Sequence, residues 1–246
     1  MEIIVSIVTV CYNEETRIKE TVESVLQVAN SSVEYLIVDG GSTDSTVEII
    51  KSYEGKFKEK NICYRWLSEK DSGIYNAMNK GLDMSRGVYI VNINIGDIIN
   101  NIPFEELYKN MENQCIAVSF PVYQAIENKV FYPRYNVDLK IHNTIHHQGT
   151  FYKKCCVSRY NEEYKIFADF DLNQRILKSK KNIKVFSHPI VASHCTDGIS
   201  EHNNAAKELF GIIYRNFGMV AYIVSNIFFA CRGFVYKVKE IKNSKV

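Results

Sequence analysis

The sequence lacks an excess of charge of either sign. Thirty basic and 28 acidic residues leave a formal net charge of +2 over 246 residues, so no global field suits a nucleic-acid partner and any basic patch must be local. It also lacks the cysteine spacing of a zinc site. Seven cysteines, an odd number, contain no CxxC pair, and the adjacent Cys155 and Cys156 suit neither a usual disulfide nor a metal, a usage that belongs to a reducing compartment. No run reaches the roughly 18 uninterrupted apolar residues of a spanning helix. The nearest approach is the C-terminal "GMVAYIVSNIFFACRGFVYKVKEIKNSKV". The N-terminal "MEIIVSIVTVCYNEE" has neither a basic region before its apolar run nor a small-residue cleavage site after it, and reads as a buried strand. No GxGxxG follows that strand, which removes support for a nucleotide-dependent oxidoreductase. No internal repeat or low-complexity linker divides the chain.

What is present is alternation. "IIVSIVTVCY" is a β-branched apolar run, "EETRIKETVESVLQVA" spaces Ile18, Val22, Val25 and Leu26 at helical intervals, and "VEYLIVDG" is a second buried strand. "STDSTVEIIKSYEGKF" predicts a helix opened by the capping residues Ser42, Thr43 and Asp44. A strand at "NICYRWLSE", a helix around "GIYNAMNKGLDMS" and a strand at "VYIVNIN" follow. Such alternation implies parallel strands joined by crossover helices, an α/β sheet covered on both faces. The pattern weakens between residues 101 and 165, then a helix with Leu172, Ile176 and Leu177 on one face precedes two short strands in "IKVFSHPIVASHCTDGISE".

In parallel sheets the ligand crevice lies outside the carboxyl ends of the strands. Four polar clusters fall there: Cys11-Tyr12-Asn13-Glu14, Asp39-Gly40-Gly41-Ser42-Thr43-Asp44, Glu69-Lys70-Asp71 and Gly96-Asp97. One such cluster is an ordinary strand exit. Four together, each with a carboxylate, point to a site.

"SIVTVCYNEE", "YLIVDGGSTDST", "SEKDSGIYNAMNKGLDMSRGVYIVNINIGD", "HHQGTFY" and "EYKIFADFDLNQRI" resemble, in that order, the signature segments of glycosyltransferase family 2, closest to the bacterial branch that extends capsular, exopolysaccharide or O-antigen units. The resemblance covers roughly residues 4 to 200 and is carried by order and spacing. It implies a GT-A fold, a Rossmann-like nucleotide-binding sheet with a mixed acceptor half, here followed by a C-terminal helical segment. Residues 1–100 would form the donor half, 101–205 the acceptor half and 206–246 the helical segment. It further implies a nucleotide-sugar donor, expected to be a UDP-sugar, with Mn²⁺ or Mg²⁺ and inversion at the anomeric carbon.

Carboxylates cannot bind diphosphate without an intervening cation, and Mg²⁺ or Mn²⁺ is held through one or two carboxylates plus the phosphates. Asp97, in "Asn94-Ile95-Gly96-Asp97", resembles the last position of the family's DXD metal motif, with Gly96 where another Asp often stands. By the same resemblance Tyr12, Glu14, Asp39, Asp71, Asn79 and Lys80 fall where relatives contact the nucleotide sugar. Asp39 as a helix cap and Lys80 at a solvated helix end are the structural alternatives. Many relatives carry a second Asp where Gly40 stands. Inversion needs a general base for the acceptor hydroxyl; Asp169, in "Ala168-Asp169-Phe170-Asp171", matches the Asp proposed for that role, with Ala168 in place of a preceding acid. Asp171 either caps the following helix or binds acceptor.

Adjacent His146 and His147 read as strand neighbours facing opposite ways, so that His147 with Gln148 would contact donor sugar or acceptor while the other ring enters the core. His194 could reach the diphosphate, ahead of a Thr196-Asp197-Gly198-Ile199-Ser200 loop that resembles the family's Gly-Gly-x-Ser segment. Residues 217–242 join an apolar stretch to Arg232, Lys237, Lys239 and Lys242, a composition suited to a membrane interface or to packing on the domain or a second copy. The resulting expectation is an inverting, metal-dependent transferase, peripheral at the cytoplasmic membrane face, acting on a polyprenyl diphosphate-linked glycan. No nucleic acid is involved, and a homo-oligomer stays open. The alternative is a noncatalytic sugar-nucleotide-binding or scaffold subunit of a polysaccharide assembly complex.

Overall fold

The computed structural model describes residues 2–195 and 205–243, with side chains as far as Arg232. The expected loop at 196–200 and the side chains of Lys237, Lys239 and Lys242 lie outside the described residues.

Four parallel strands carry the first half of the chain: β1 (Val5–Cys11), β2 (Val33–Asp39), β3 (Cys63–Ser68) and β4 (Tyr89–Asn92), in spatial order β3-β2-β1-β4. Their connections are α1 (Ile18–Val28), α2 (Thr46–Ser52) with α3 (Glu54–Glu59), and α4 (Ile74–Met84). β1, β2 and β4 are buried throughout, because successive side chains enter opposite faces and both faces are covered. Val5, Ile7, Val33, Tyr35 and Ile37 pack with Ile18, Val22 and Val25 of α1; Val8, Val10, Leu36 and Val38 pack with Ala77 and Met78 of α4.

The expected single helix after residue 45 is instead two, parted at Tyr53. Of the three expected capping side chains only Asp44 serves the first turn, accepting from Thr46 N at 3.0 Å. Ser42 is drawn to other partners, donating its hydroxyl to Asp39 and accepting from Asn13 N.

The second half supplies β5 (Ile98–Ile99), α5 (Phe104–Asn110), β6 (Ala117–Ser119), β7 (Val122–Gln124), β8 (Lys129–Phe131), β9 (Thr150–Lys153), α6 (Ala168–Lys178), β10 (Ile183–Val185) and β11 (Ala192–His194). β9 runs antiparallel between β4 and β6, and β10 adds beyond β6, completing a seven-stranded mixed sheet. A separate four-stranded sheet has the order β5-β11-β7-β8. The chain closes with α7 (Ala205–Asn243), broken at Gly218, whose φ of 77° and ψ of −169° no helix contains.

A short 3₁₀ turn, His147–Gly149, feeds β9. There Gly149 is required by contact: a Cβ on it would lie 2.4 Å from Phe120 O and 2.7 Å from Val122 Cγ2. Gly149→Ala is expected to destabilise the protein by about 1–3 kcal/mol through overpacking against backbone. Gly55→Ala, where a Cβ meets nothing within 4 Å, is the control, expected to be neutral or stabilising by up to ~1 kcal/mol. Urea denaturation of both variants checks the contrast.

Candidate active site

The ends of β1, β2 and β3 lie side by side, with Cys11 in register with Asp39 and Asp39 with Ser68. The polar clusters inferred from the sequence therefore share one sheet edge. Asp39 is fully buried there. Its carboxylate accepts from Gly41 N (3.1 Å), Ser42 N (2.9 Å), Ser68 Oγ (2.6 Å) and the Ser42 hydroxyl. Asp39 thus folds its own loop back on the strand end and caps no helix. Burial, followed by the neighbouring Asp39 charge, pushes the Cys11 thiol far above its ordinary range, so Cys11 is an inert wall.

Tyr12 is 59% exposed at this edge, with its ring offered to a flat ligand. Asp71 accepts from Gly73 N at 2.8 Å, and its Oδ2 would lie 2.6 Å from a Cβ on Gly40. A glycine at position 40 is what lets Asp71 approach Tyr12 and the Asp39 loop. Glu14 is held by Arg17 in a two-pronged pair at 2.6 and 2.9 Å. Lys80 is paired with Glu69 at 2.7 Å and donates to Lys70 O at 3.0 Å.

Asn79 is placed differently from the sequence expectation. It is fully buried, donating to Tyr160 O and Glu162 Oε1 and accepting from Tyr160 N. Its whole amide is spent on tying α4 to the segment before α6.

A cleft of about 200 Å³ lies beside this edge, lined in part by Asn94, His147, Tyr160, Lys165, Asp169 and His194. Asp97 lies behind the cleft wall, in contact with the lining residue His194. The aspartate is fully buried, and Gly96 before it takes φ 83° to make the turn. Asp97 Oδ1 accepts from Cys195 N at 2.7 Å, Oδ2 accepts from Gln148 Nε2, and His194 Nδ1 stands 3.2 Å from both oxygens. Thr21 of α1 donates to Asp97 O at 2.9 Å. The Asp97 carboxylate therefore gathers the 3₁₀ turn and the end of β11, while its backbone carbonyl adds α1.

His146 and His147 do not alternate on a strand. The 3₁₀ turn displaces the strand start to Thr150 and stacks the two rings, with centroids 5.2 Å apart and planes 24° apart. Both line the cleft. Dense packing, then the proximity of His147 and His194, holds His146 well below the ordinary imidazole range and keeps it neutral. His147 Nε2 accepts from Asn94 Nδ2 at 3.1 Å, an arrangement that leaves the ring proton on Nδ1, 3.4 Å from Asp169 Oδ2. Consecutive residues His147 and Gln148 thus reach the two carboxylates Asp169 and Asp97. Asp169 stands in the first turn of α6. Its charge is also felt by Tyr75 and Tyr160, whose phenols are raised first by burial and then by Asp169.

Asp171 is drawn off the cleft. It is buried, pairs with Arg175 Nε at 2.7 Å and accepts from Asn216 of α7 at 3.0 Å, so it neither caps α6 nor faces acceptor. Lys165, Ile166 and Phe167 line the cleft without having been singled out in the sequence. Their signal was their place just ahead of the Asp169 helix.

Among the described residues no group of three or more His, Cys, Asp or Glu is arranged to hold a metal. The donor set around Asp97 nevertheless suits a hard cation that draws its remaining ligands from phosphate. Asp97 offers about four lone-pair sites to its three N–H neighbours, and the Asn94 and Gln148 carbonyl oxygens are buried without a hydrogen-bond partner.

The sequence profile described as Glycosyl transferase family 2 matches residues 6–186. The chain belongs to this family, and its α/β sheet with a C-terminal helix is a GT-A-type fold. It is similar to a PGL/p-HBAD biosynthesis glycosyltransferase of Mycobacterium tuberculosis, 25% identical over 196 residues, 77% of this chain and 75% of the relative. A Bacillus subtilis relative, TuaG, bears the name of a teichuronic acid biosynthesis glycosyltransferase and is 32% identical over 49% of this chain and 46% of its own. In fold the chain resembles Staphylococcus aureus TarS 1-349 in complex with UDP, with a TM-score of 0.65 at 16% identity, over 88% of this chain and 65% of that one. It also resembles the mannosyltransferase PcManGT of Pyrobaculum calidifontis in complex with GDP-Man and Mn²⁺, with a TM-score of 0.64 at 14% identity, over 87% and 65%.

Gln148→Leu is expected to destabilise the fold by about 1–3 kcal/mol, because it withdraws the amide donor from a fully buried carboxylate. Chemical denaturation checks this, and stability equal to the parent protein would show that Asp97 does not depend on Gln148.

Proposed function

We propose that this chain is an inverting glycosyltransferase that moves a sugar from a nucleoside diphosphate sugar, with UDP as the nucleotide, to a hydroxyl of a lipid-linked glycan in bacterial surface polysaccharide assembly. The observation that carries the reading is the convergence of Asp97 and Asp169 on two consecutive residues, Gln148 and His147. Residues 1–100 serve the donor and 101–205 the acceptor. Tyr12 stacks on the base, and Asp71 accepts from base N–H or ribose hydroxyls. The solved neighbours support a nucleotide-sugar ligand, since TarS was solved with UDP-GlcNAc and PcManGT with GDP-Man.

Asp169 takes the proton from the acceptor hydroxyl as its oxygen attacks the anomeric carbon from the face opposite the leaving diphosphate. His147 Nδ1 stands beside Asp169 Oδ2 at 3.4 Å to steady it, and the ring is itself oriented by Asn94. Asp97, with the Asn94 and Gln148 carbonyl oxygens and His194, would hold the cation. A divalent ion, Mn²⁺ or Mg²⁺, supplies charge neutralisation of the departing diphosphate when bound. Tyr75 and Tyr160 wall the reacting region from bulk water.

Nucleoside diphosphate release from a panel of sugar nucleotides, with Mn²⁺, Mg²⁺ or EDTA and a lipid-linked acceptor extract, tests this reading. One donor is expected to turn over in a metal-dependent way, and Asp97→Asn and Asp169→Asn are each expected to lower kcat by about 10²-fold or more. Donor binding without turnover of any sugar would favour the noncatalytic subunit.

The peripheral location at the cytoplasmic membrane face rests on α7. Beyond the break at Gly218, Val220 (76% exposed), Ile223, Val224 and Ile227 form one exposed stripe at helical spacing. The opposite side packs through Ser225, which donates to Ile141 O at 2.6 Å, and through Phe228, stacked on His142. The 28 residues Ala205–Arg232 have the length and composition to cross a membrane, but the break suits a helix lying in the interface. Val220→Asp with Ile227→Asp is expected to abolish co-sedimentation with anionic phospholipid vesicles while leaving thermal stability within a few degrees. Unchanged sedimentation would assign the stripe to a second copy, visible as a change in mass by light scattering.

A further inference from the structure

α7 reaches into the site from its first turn. Glu208 Oε2 accepts from Lys165 N at 2.9 Å, and Oε1 accepts from Ile166 N at 2.9 Å and Phe167 N at 2.7 Å. Three successive amides turned toward one anion form a backbone nest. This nest lies immediately ahead of α6, whose N-terminal flanking residue Phe167 receives no capping bond from its own side chain. A carboxylate at that place also complements the positive end of the α6 dipole. From the other side, Tyr75 Oη donates to Ile166 O at 2.6 Å. The segment is therefore fixed on one side by α4 and on the other by α7. Two residues later comes Asp169, and Lys165, Ile166 and Phe167 line the same cleft as Asp169. Further along, Asn216 of α7 donates to Asp171 Oδ1 at 3.0 Å and Gln174 Oε1 at 3.1 Å, so the two helices are bound at a second level.

We infer that Glu208 is a positioning residue for Asp169: its carboxylate holds the 165–167 backbone and through it sets where the Asp169 carboxylate meets the acceptor. The inference rests on the transferase reading above. The hydrogen bonds of Glu208 go to the 165–167 backbone and not to the Asp39 edge or Asp97, so its loss is expected to disturb the alignment of the base and to spare donor capture. Displacement of a catalytic group by about 1 Å costs about 10²-fold in rate.

The experiment compares the full chain with Glu208→Ala and Glu208→Gln. Glu208→Gln keeps one acceptor oxygen, enough for Ile166 and Phe167 but not for Lys165. With the sugar nucleotide that the wild type turns over, kcat is expected to fall about 10- to 100-fold in Glu208→Ala and to be partly restored in Glu208→Gln. KM for the donor and the affinity for free nucleoside diphosphate are expected to stay within about twofold. Amide exchange at 165–167 is expected to speed up in the same order. Wild-type kcat in folded Glu208→Ala, or donor affinity falling in step with kcat in both variants, would overturn the inference. If Glu208→Ala does not fold, wild-type kcat together with faster 165–167 exchange in Glu208→Gln would overturn it equally. A wild-type chain that binds but never turns over any donor would count against the transferase reading instead, and the exchange measurement would still report the clamp.

Discussion

The structure depends on one buried anion. Asp97 has no exposure, and a carboxylate removed from water is tolerated only when its oxygens are met by donors. The donors come from places far apart in the chain: Gln148 from a 3₁₀ turn, and Cys195 N and His194 from the end of β11, while Thr21 of α1 holds the Asp97 carbonyl. Satisfying this group brings the edge of the seven-stranded sheet to the four-stranded one. The junction is made by side chains rather than by a continuous ladder, and one of them, His194, also lines the cleft.

The same economy recurs at the other carboxylates. Asp39 spends its lone pairs on its own loop and Ser68, Asp171 on Arg175 and α7, and Glu208 on three amides. Asp71 and Asp169 are less fully engaged, each showing a single side-chain or backbone partner. Their spare acceptor capacity is what the proposed function draws on, with Asp97 the exception that is both engaged and assigned a ligand.

The parallel half was legible in the sequence because strands buried on both faces leave unbroken apolar runs, and their polar exits necessarily share one edge. Asp97 and Asp169 were singled out by the resemblance of their short motifs to the family's, and the structure brings them to the consecutive residues Gln148 and His147. The placement of the paired histidines was not legible, since a 3₁₀ turn leaves no periodicity to distinguish it from a strand entry. Asn79, Asp171 and Glu208 were misplaced or unseen for a different reason: the partners that decide their placement lie 41 to 83 residues away, and pairing at such range is set by tertiary packing that no local pattern encodes. The split of the second helix at Tyr53 belongs with these, as a local choice decided by packing of Tyr53 and Phe57 into the core.

The break at Gly218 gives α7 two arms with different neighbours. The arm from Glu208 to the break holds the approach to α6, and at the helical rise it spans roughly 15 Å. The arm beyond carries the outward apolar stripe. A rigid strut of that length between the Asp169 segment and a surface-seeking face acts as a ruler: it sets the height of the cleft above whatever the stripe rests on. On the proposed function, a glycan anchored in that surface would be presented to Asp169 only when its chain is long enough to span the gap, so the length of the strut would select acceptors by reach before any pocket inspects their sugars.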